Sequence, residues 1–227
     1  VSSTVPEFAA LGMPFLFADV QKAWTVMDGA IGKELADKAA AKGMVLLGLW
    51  DNGIRQMSNS KRAIKSPADM KGLKMRTPPD AVTVDIMQAM GADAQQIKFS
   101  ELYVALQQGV VDGQENPLTN IASAKLYEVQ KYISLSGHKY ESTPFLMSKR
   151  SWDRMTPADQ KVVSEAAAEA TTLQRRLNKE IDDKLVAELK GKGVQIDTVD
   201  RKAFMDASAS VYTKWTAGPI GDFVKRV

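Results

Sequence analysis

Apolar and polar positions along this chain switch repeatedly between a helical and a strand period. Between Ala18 and Lys42, the residues Val20, Trp24, Met27, Ile31 and Leu35 fall near helical spacing behind a capping Asp19, and Gly43 follows. One helix is predicted there. Met44 to Trp50 is a short apolar run between Gly43 and Asp51-Asn52-Gly53, which reads as a buried strand. Ile54 to Lys61 reads as extended. Leu73 to Thr77 reads as a strand, Pro79 to Met90 as a helix closed by Gly91, and Ala94 to Phe99 as a strand. Ser100 is placed to cap a helix from Glu101 to Gln108. Val110 to Glu115 is predicted as a strand, followed by a helix from Pro117 towards Gln130 with a break near Lys125. Tyr132 to Leu135, Ser142 to Ser148 and Val194 to Thr198 are further strands, with helices from Asp200 and near Gly218. Helix, glycine and strand in alternation define an α/β protein.

Thr156-Pro157-Ala158-Asp159 carries a threonine cap, a proline and an early acid, a strong helix start. Nothing breaks the pattern from there to Leu189, which predicts a helix about 50 Å long at about 1.5 Å per residue. It exceeds one small domain. Either it forms a coiled-coil hairpin arm or it crosses between two bodies.

Composition narrows the chemistry. The 227 residues are 44% hydrophobic and 25% charged, with 30 basic and 27 acidic side chains, so no electrostatic footprint for nucleic acid exists. No apolar run approaches the ~20 residues of a membrane span. Cysteine is absent, which removes disulfides and thiolate metal sites and is compatible with the periplasm. The single histidine, His138, has no second histidine and no cysteine to join it, so neither a metal site nor a cofactor is expected. No G-x-S-x-G, Walker or dinucleotide glycine pattern occurs.

Two segments share one design. Lys71-Gly72-Leu73-Lys74-Met75-Arg76-Thr77-Pro78-Pro79 and Val111-Asp112-Gly113-Gln114-Glu115-Asn116-Pro117 each end a strand at proline and open a helix. Ligands of open α/β sheets bind beyond the carboxyl ends of strands, so Arg76 and Asn116 are expected at one cleft. A guanidinium there is a two-pronged receptor for a carboxylate; the alternative is an ordinary surface ion pair. Arg55, just past the first strand, is a third candidate. Trp50, Asp51 and Asn52 also stand at a strand end: the indole suits a sugar's CH face, and the polar pair suits hydroxyls. Gln114, Phe99 and Glu115 are candidates for the same cleft, with packing or turn roles as the alternative.

The wording of these segments, "KGLKMR" with "FSELYVALQQGVVDGQENP", and of "LGMPFLF" at Leu11–Phe17, resembles the DctP family of extracytoplasmic solute-binding proteins of TRAP transporters. The resemblance implies a two-lobed, type II periplasmic-binding-protein-like fold with a long helix spanning both lobes. It implies lobes of residues 1–53 plus 142–181 and 54–141 plus 182–227, the first lacking an opening β-α-β portion. It also implies a periplasmic, monomeric protein that captures an organic anion and hands it to a TRAP membrane permease without chemistry. Arg76 matches the family's carboxylate-binding arginine, Asn116 its neighbouring amide, and Arg55 a frequent second arginine. An acid at Asp51 gives a dicarboxylate little and a polyhydroxy acid hydrogen bonds. A sugar acid such as a hexuronate or aldonate is therefore favoured over a C4-dicarboxylate or other organic anion. An enzyme of sugar acids using Asp51 or Glu115 as base, and a sensor module, are the rival readings.

Overall fold

A computed structural model describes residues 1–227. After a 3-10 segment at Pro6–Gly12 come α1 (Val20–Met27), α2 (Ala30–Ala40), β1 (Met44–Asn59), β2 (Lys74–Thr77), α3 (Ala81–Ala89) and β3 (Asp93–Gln96). Then follow α4 (Phe99–Gln107), β4 (Gly113–Pro117), α5 (Leu118–Ser123), β5 (Tyr132–Ser148), α6 (Lys149–Trp152) and α7 (Pro157–Gly191). The chain ends with β6 (Gln195–Thr198), α8 (Arg201–Ala207), α9 (Ala209–Thr216) and α10 (Gly221–Val224). The fold is the two-lobed α/β type expected, and α7 is the long helix, 35 residues from a Thr156 cap that accepts Asp159 N–H.

All six strands form one sheet in the order β3-β2-β4-β1-β5-β6. β2 runs parallel to β3 and β4, and β5 runs parallel to β6, whereas β1 is antiparallel to β4 and β5. Two strands dominate: β1 has 16 residues and β5 has 17. Along β1, only Arg55–Asn59 pair with β4, and along β5 only Tyr132–Leu135 pair with β6. The remaining lengths of β1 and β5 pair with each other alone and carry the chain out of the central sheet as a two-stranded ribbon.

Several predicted elements change for identifiable reasons. The helix expected from Ala18 to Lys42 is two helices, α1 and α2, broken at Asp28-Gly29. The chain doubles back so closely that a Cβ on Gly32 would lie 1.6 Å from Met27 O. The two extended segments expected around Asp51-Asn52-Gly53 are one strand. Gln174 of α7 holds it open, accepting Asp51 N–H at 2.9 Å and donating to Asp51 O at 2.8 Å, as a neighbouring strand would. Gly53 absorbs a register shift there with φ +120°. Likewise Tyr132–Ser148 is continuous rather than two strands.

Helix starts also differ. Neither Pro78-Pro79 nor Pro117 sits at a first helical position. α3 begins at Ala81, where Asp80 Oδ2 accepts Thr83 N–H at 3.0 Å, and Pro117 ends β4 and caps α5. α4 starts earlier than Ser100, with Phe99 already helical. The expected break near Lys125 is present, and Lys125 takes a left-handed φ of +52°.

One apolar core joins Phe8, Leu35, Met57, Ile86 and Phe204; a smaller one joins Leu102, Ile121, Ile133 and Leu189. The larger core draws on residues of both expected lobes, while the smaller lies within 54–141 plus 182–227. Only Ala167, Arg175, Leu185 and Leu189 of α7 are buried, so a few contacts fix this long helix. Arg175 is the central one. Its guanidinium donates to Leu49 O at 2.7 and 3.0 Å and to both oxygens of Asp28 at 2.7 and 2.9 Å, and it stacks over Trp24. It therefore ties α7 to β1 and to the α1–α2 break. Arg175→Ala is expected to lower stability by about 2 kcal/mol, the loss of charge-assisted hydrogen bonds, and Arg175→Lys to recover only part because the fork is gone. Urea denaturation checks this; an unchanged midpoint would show that the lock contributes nothing.

Candidate functional site

Parallel pairing of β2 with β4 sets Arg76 opposite Gln114, and antiparallel pairing sets Arg55 of β1 opposite Pro117. The two arginines thus converge on Glu115 and Asn116, yet their surroundings are opposite. Arg55 is saturated. Its Nε and Nη2 grip the Glu115 carboxylate, the Nη2 contact to Oε1 being 2.8 Å. Nη2 also donates to Glu115 O at 2.8 Å and to Asn116 Oδ1 at 3.2 Å, and Nη1 to Glu141 Oε2 at 2.8 Å. Burial alone would raise the Glu115 carboxyl, but Arg55 and a His138 contact at 3.3 Å hold it down to about 2. Burial opposes the charge of Arg55 too, and Glu115 and Glu141 more than restore it.

Arg76 has no such partner. Its Nε donates to Ile97 O at 2.8 Å, and no acid lies within ion-pair distance. Burial pushes this guanidinium down to about 10; Glu115 offsets part of the effect and Arg55 adds to it. The Phe99 ring lies 5.9 Å from Arg76 Cζ and is 47% exposed. A buried arginine lacking an acid, beside an exposed aromatic face at the carboxyl end of a strand, has the charge and donor geometry that an anion receptor needs.

Amides stiffen the floor. Asn116 donates to Gln114 Oε1, and Gln114 donates to Ser58 Oγ at 2.8 Å. Asn120 donates at 3.1 Å to both Asn116 Oδ1 and Asn52 Oδ1. Asn52 and Asn116 are therefore brought together, through an asparagine that sequence reasoning missed. Gln114 is buried with its amide spent on protein partners; it supports rather than faces the cleft.

Trp50 and Asp51 are turned to other partners. Trp50 Nε1 donates to Thr171 Oγ1 of α7 at 3.0 Å, and its ring packs on Phe145. Asp51 Oδ1 accepts Trp24 Nε1 at 2.8 Å and the Tyr140 hydroxyl, and burial raises its pKa despite these bonds. The hydrogen bonds that favoured a sugar hydroxyl at Asp51 are made inside the protein. His138 is wholly buried, with Nδ1 2.8 Å from Ser136 Oγ, and no three His, Asp or Glu side chains form a metal-binding group.

Sequence reasoning also passed over Lys139, Asp80 and Glu141. Lys139 Nζ donates to Asp80 Oδ2 at 2.8 Å and Thr83 Oγ1 at 2.7 Å, and lies 3.6 Å from Glu141 Oε2. The only signal was the charged run Lys139-Tyr140-Glu141 inside a strand, where every second charge must find a buried partner.

Comparison with known proteins places this geometry. The family model for bacterial extracellular solute-binding protein, family 7 (DctP), matches residues 1–218. The chain belongs to that family, one of extracytoplasmic binding proteins. It is 54% identical over 211 residues to the Sinorhizobium fredii protein y4mM, and 37% identical over 203 residues to the 2,3-diketo-L-gulonate-binding periplasmic protein YiaO of Escherichia coli. These alignments cover 92% and 89% of this chain, which spans 39% and 62% of the two relatives' own lengths. The crystal structure of a TRAP periplasmic solute-binding protein from Polaromonas, bound to D-erythronate, superimposes with a TM-score of 0.95 at 40% identity, covering 99% of this chain and 75% of that one. No helix here is long and apolar enough to cross a membrane.

The Arg55–Glu115 pair generates a prediction. The folded Glu115 carboxyl titrates near 2, against an ordinary 4.5. Its contribution, about 3 kcal/mol, is whole above pH 4.5 and lost as pH falls from there towards 2. Glu115→Gln leaves Arg55 with a buried charge short of its main partner and is expected to cost about 3–5 kcal/mol at pH 7. Urea midpoints from pH 7 to 3 check both: the variant's acid limb should be shallower than the wild type's, and parallel limbs would remove Glu115 as the source.

Proposed function

We propose that this chain is the ligand-capturing part of a TRAP transporter's periplasmic solute-binding subunit, and that it seats an organic acid on Arg76. The unpaired, buried guanidinium of Arg76 carries this reading. A ligand carboxylate would supply the charge that the protein withholds, and both would gain as closure expels water. Asn116 and Arg55 hold the neighbourhood rigid, and Phe99 covers one side. Ligand capture by a monomer precedes release to the membrane permease. The lobes are residues 1–53 with 142–181 and 54–141 with 182–227, flexing where β1 and β5 leave the central sheet and where α7 passes between them.

The favoured ligand is a sugar acid. A C4-dicarboxylate needs a second free cation, and the buried cations Arg55 and Lys139 are already paired with acids. D-erythronate in the Polaromonas protein and the 2,3-diketo-L-gulonate of the Escherichia coli relative's name support the same class. Binding without chemistry is favoured over catalysis. Glu115 is locked as a carboxylate by Arg55, and Asp51 is occupied by Trp24 and Tyr140, which leaves neither poised as a base near neutral pH.

Calorimetric titration with hexuronates, aldonates and C4-dicarboxylates, with neutral sugars as controls, tests the reading. Arg76→Ala is expected to weaken acid binding by about 2–5 kcal/mol, and Arg76→Lys to bind poorly for want of the fork. Wild-type affinity in both variants would sink the assignment.

A further inference from the structure

Beyond the carboxylate receptor, a second group of charges, Asp80, Lys139 and Glu141 with Ser142, lines a pocket of about 120 Å³ together with residues of the segment from Val1 to Gly12. At about 30 Å³ per water, this holds a fragment of about four heavy-atom groups. It begins where the Arg76 strand ends, because Thr77-Pro78-Pro79 leads directly to Asp80. It is joined to the arginine pair through Glu141, whose Oε2 accepts Arg55 Nη1.

The hydrogen bonds inside the group are lopsided. All three bonds to the Asp80 carboxylate, from Lys139 Nζ, Thr83 N–H and Thr83 Oγ1, fall on Oδ2. Both charged partners of Glu141 lie on Oε2. Asp80 Oδ1 and Glu141 Oε1 keep their acceptor capacity, as does the Ser142 hydroxyl. Lys139 has two short bonds, while its third neighbour, Glu141, stays at 3.6 Å. Gly12 makes room for this cation: a Cβ there would lie 2.5 Å from Lys139 Cε.

We propose that Asp80 and Glu141, with Lys139 between them, are the hydroxyl-reading end of the ligand cleft and set its preference for a polyhydroxylated acid. Each hydroxyl both donates and accepts. Two carboxylate oxygens flanking an ammonium satisfy both capacities of adjacent hydroxyls with charge-assisted bonds. An alkyl chain leaves the three charges without new partners, and a second carboxylate meets two like charges.

This inference rests on the reading of Arg76 as the carboxylate receptor, and three six-carbon probes separate the two. Galactonate, hexanoate and adipate share a carboxylate and differ only in hydroxyls or a second acid. Calorimetry on the 227-residue chain is expected to show galactonate bound at least tenfold more tightly than hexanoate or adipate. Asp80→Asn, which preserves a capping side chain for α3, and Glu141→Gln should each weaken galactonate about tenfold or more while leaving hexanoate within twofold. Circular dichroism melts on the same samples report any loss of fold. Equal weakening of galactonate and hexanoate, an unchanged galactonate affinity in both variants, or a wild-type preference for adipate would overturn the inference while Arg76-dependent binding stood. Failure of all three acids to bind would overturn the Arg76 reading and this one with it.

Discussion

Two arginines and one buried glutamate set the terms of this molecule. Glu115 lies in the middle of the sheet with no access to water, so its charge must be met at once or protonated. Arg55 meets it with two donors and spends the rest of its fork on Glu115 O, Asn116 and Glu141. Arg76 stands near the same carboxylate but outside ion-pair reach. One acid can be shared tightly with only one fork, and the antiparallel register of β1 against β4 gives it to Arg55. What remains is a guanidinium desolvated by its neighbours, steadied by Ile97 O and Phe99, and without an acid of its own. The affinity of such a site comes from arranging that the protein's own acids are already engaged.

The same economy governs the scaffold. β1 and β5 are long enough to leave the central sheet, and their ribbon would expose backbone groups along an edge. α7 closes that edge with side chains: Gln174 takes both backbone groups of Asp51, and Arg175 takes Leu49 O. A helix with only four buried residues is thereby held by hydrogen bonds at this crossing and by Leu185 and Leu189 in the smaller core towards its end. The helix is thus mostly solvated and fastened at its middle, beside strands that change partners at Arg55 and Leu135. Hinge motion needs few packed contacts across the moving region.

Charge is also distributed between two groups rather than gathered at one point. Arg76 presents an uncompensated positive charge; the Asp80–Lys139–Glu141 cluster presents compensated charges with unused acceptor oxygens. A ligand that fits both must be ionised at one end and rich in hydroxyls at the other. The two ends are linked by Glu141, which touches both Arg55 and Lys139.

Much of this was legible beforehand because it is local. Hydrophobic period, glycines and caps located most elements, including the Thr156 start of α7 and the turn of Lys125. Motif wording placed Arg76 and Asn116 at the ends of neighbouring strands. The errors share one cause. Asp51-Asn52-Gly53 has the composition of a turn but runs as a strand, since Gln174, far along the chain, supplies its missing partner. Asp51 has the chemistry of a sugar receptor, but Trp24 and Tyr140 reach it first. Asp80 and Lys139 drew no attention in the sequence, since only the fold of β5 brings them within 2.8 Å of each other.

The sequence by itself therefore determined the elements, the α/β class and the presence of an arginine at a strand's carboxyl end, because those depend on neighbours a few residues away. The tertiary structure alone decided which arginine is neutralised and which is free, and which carboxylates are spent and which still accept. Those outcomes depend on the pairing of charges from distant segments in a medium where each unpaired charge is costly.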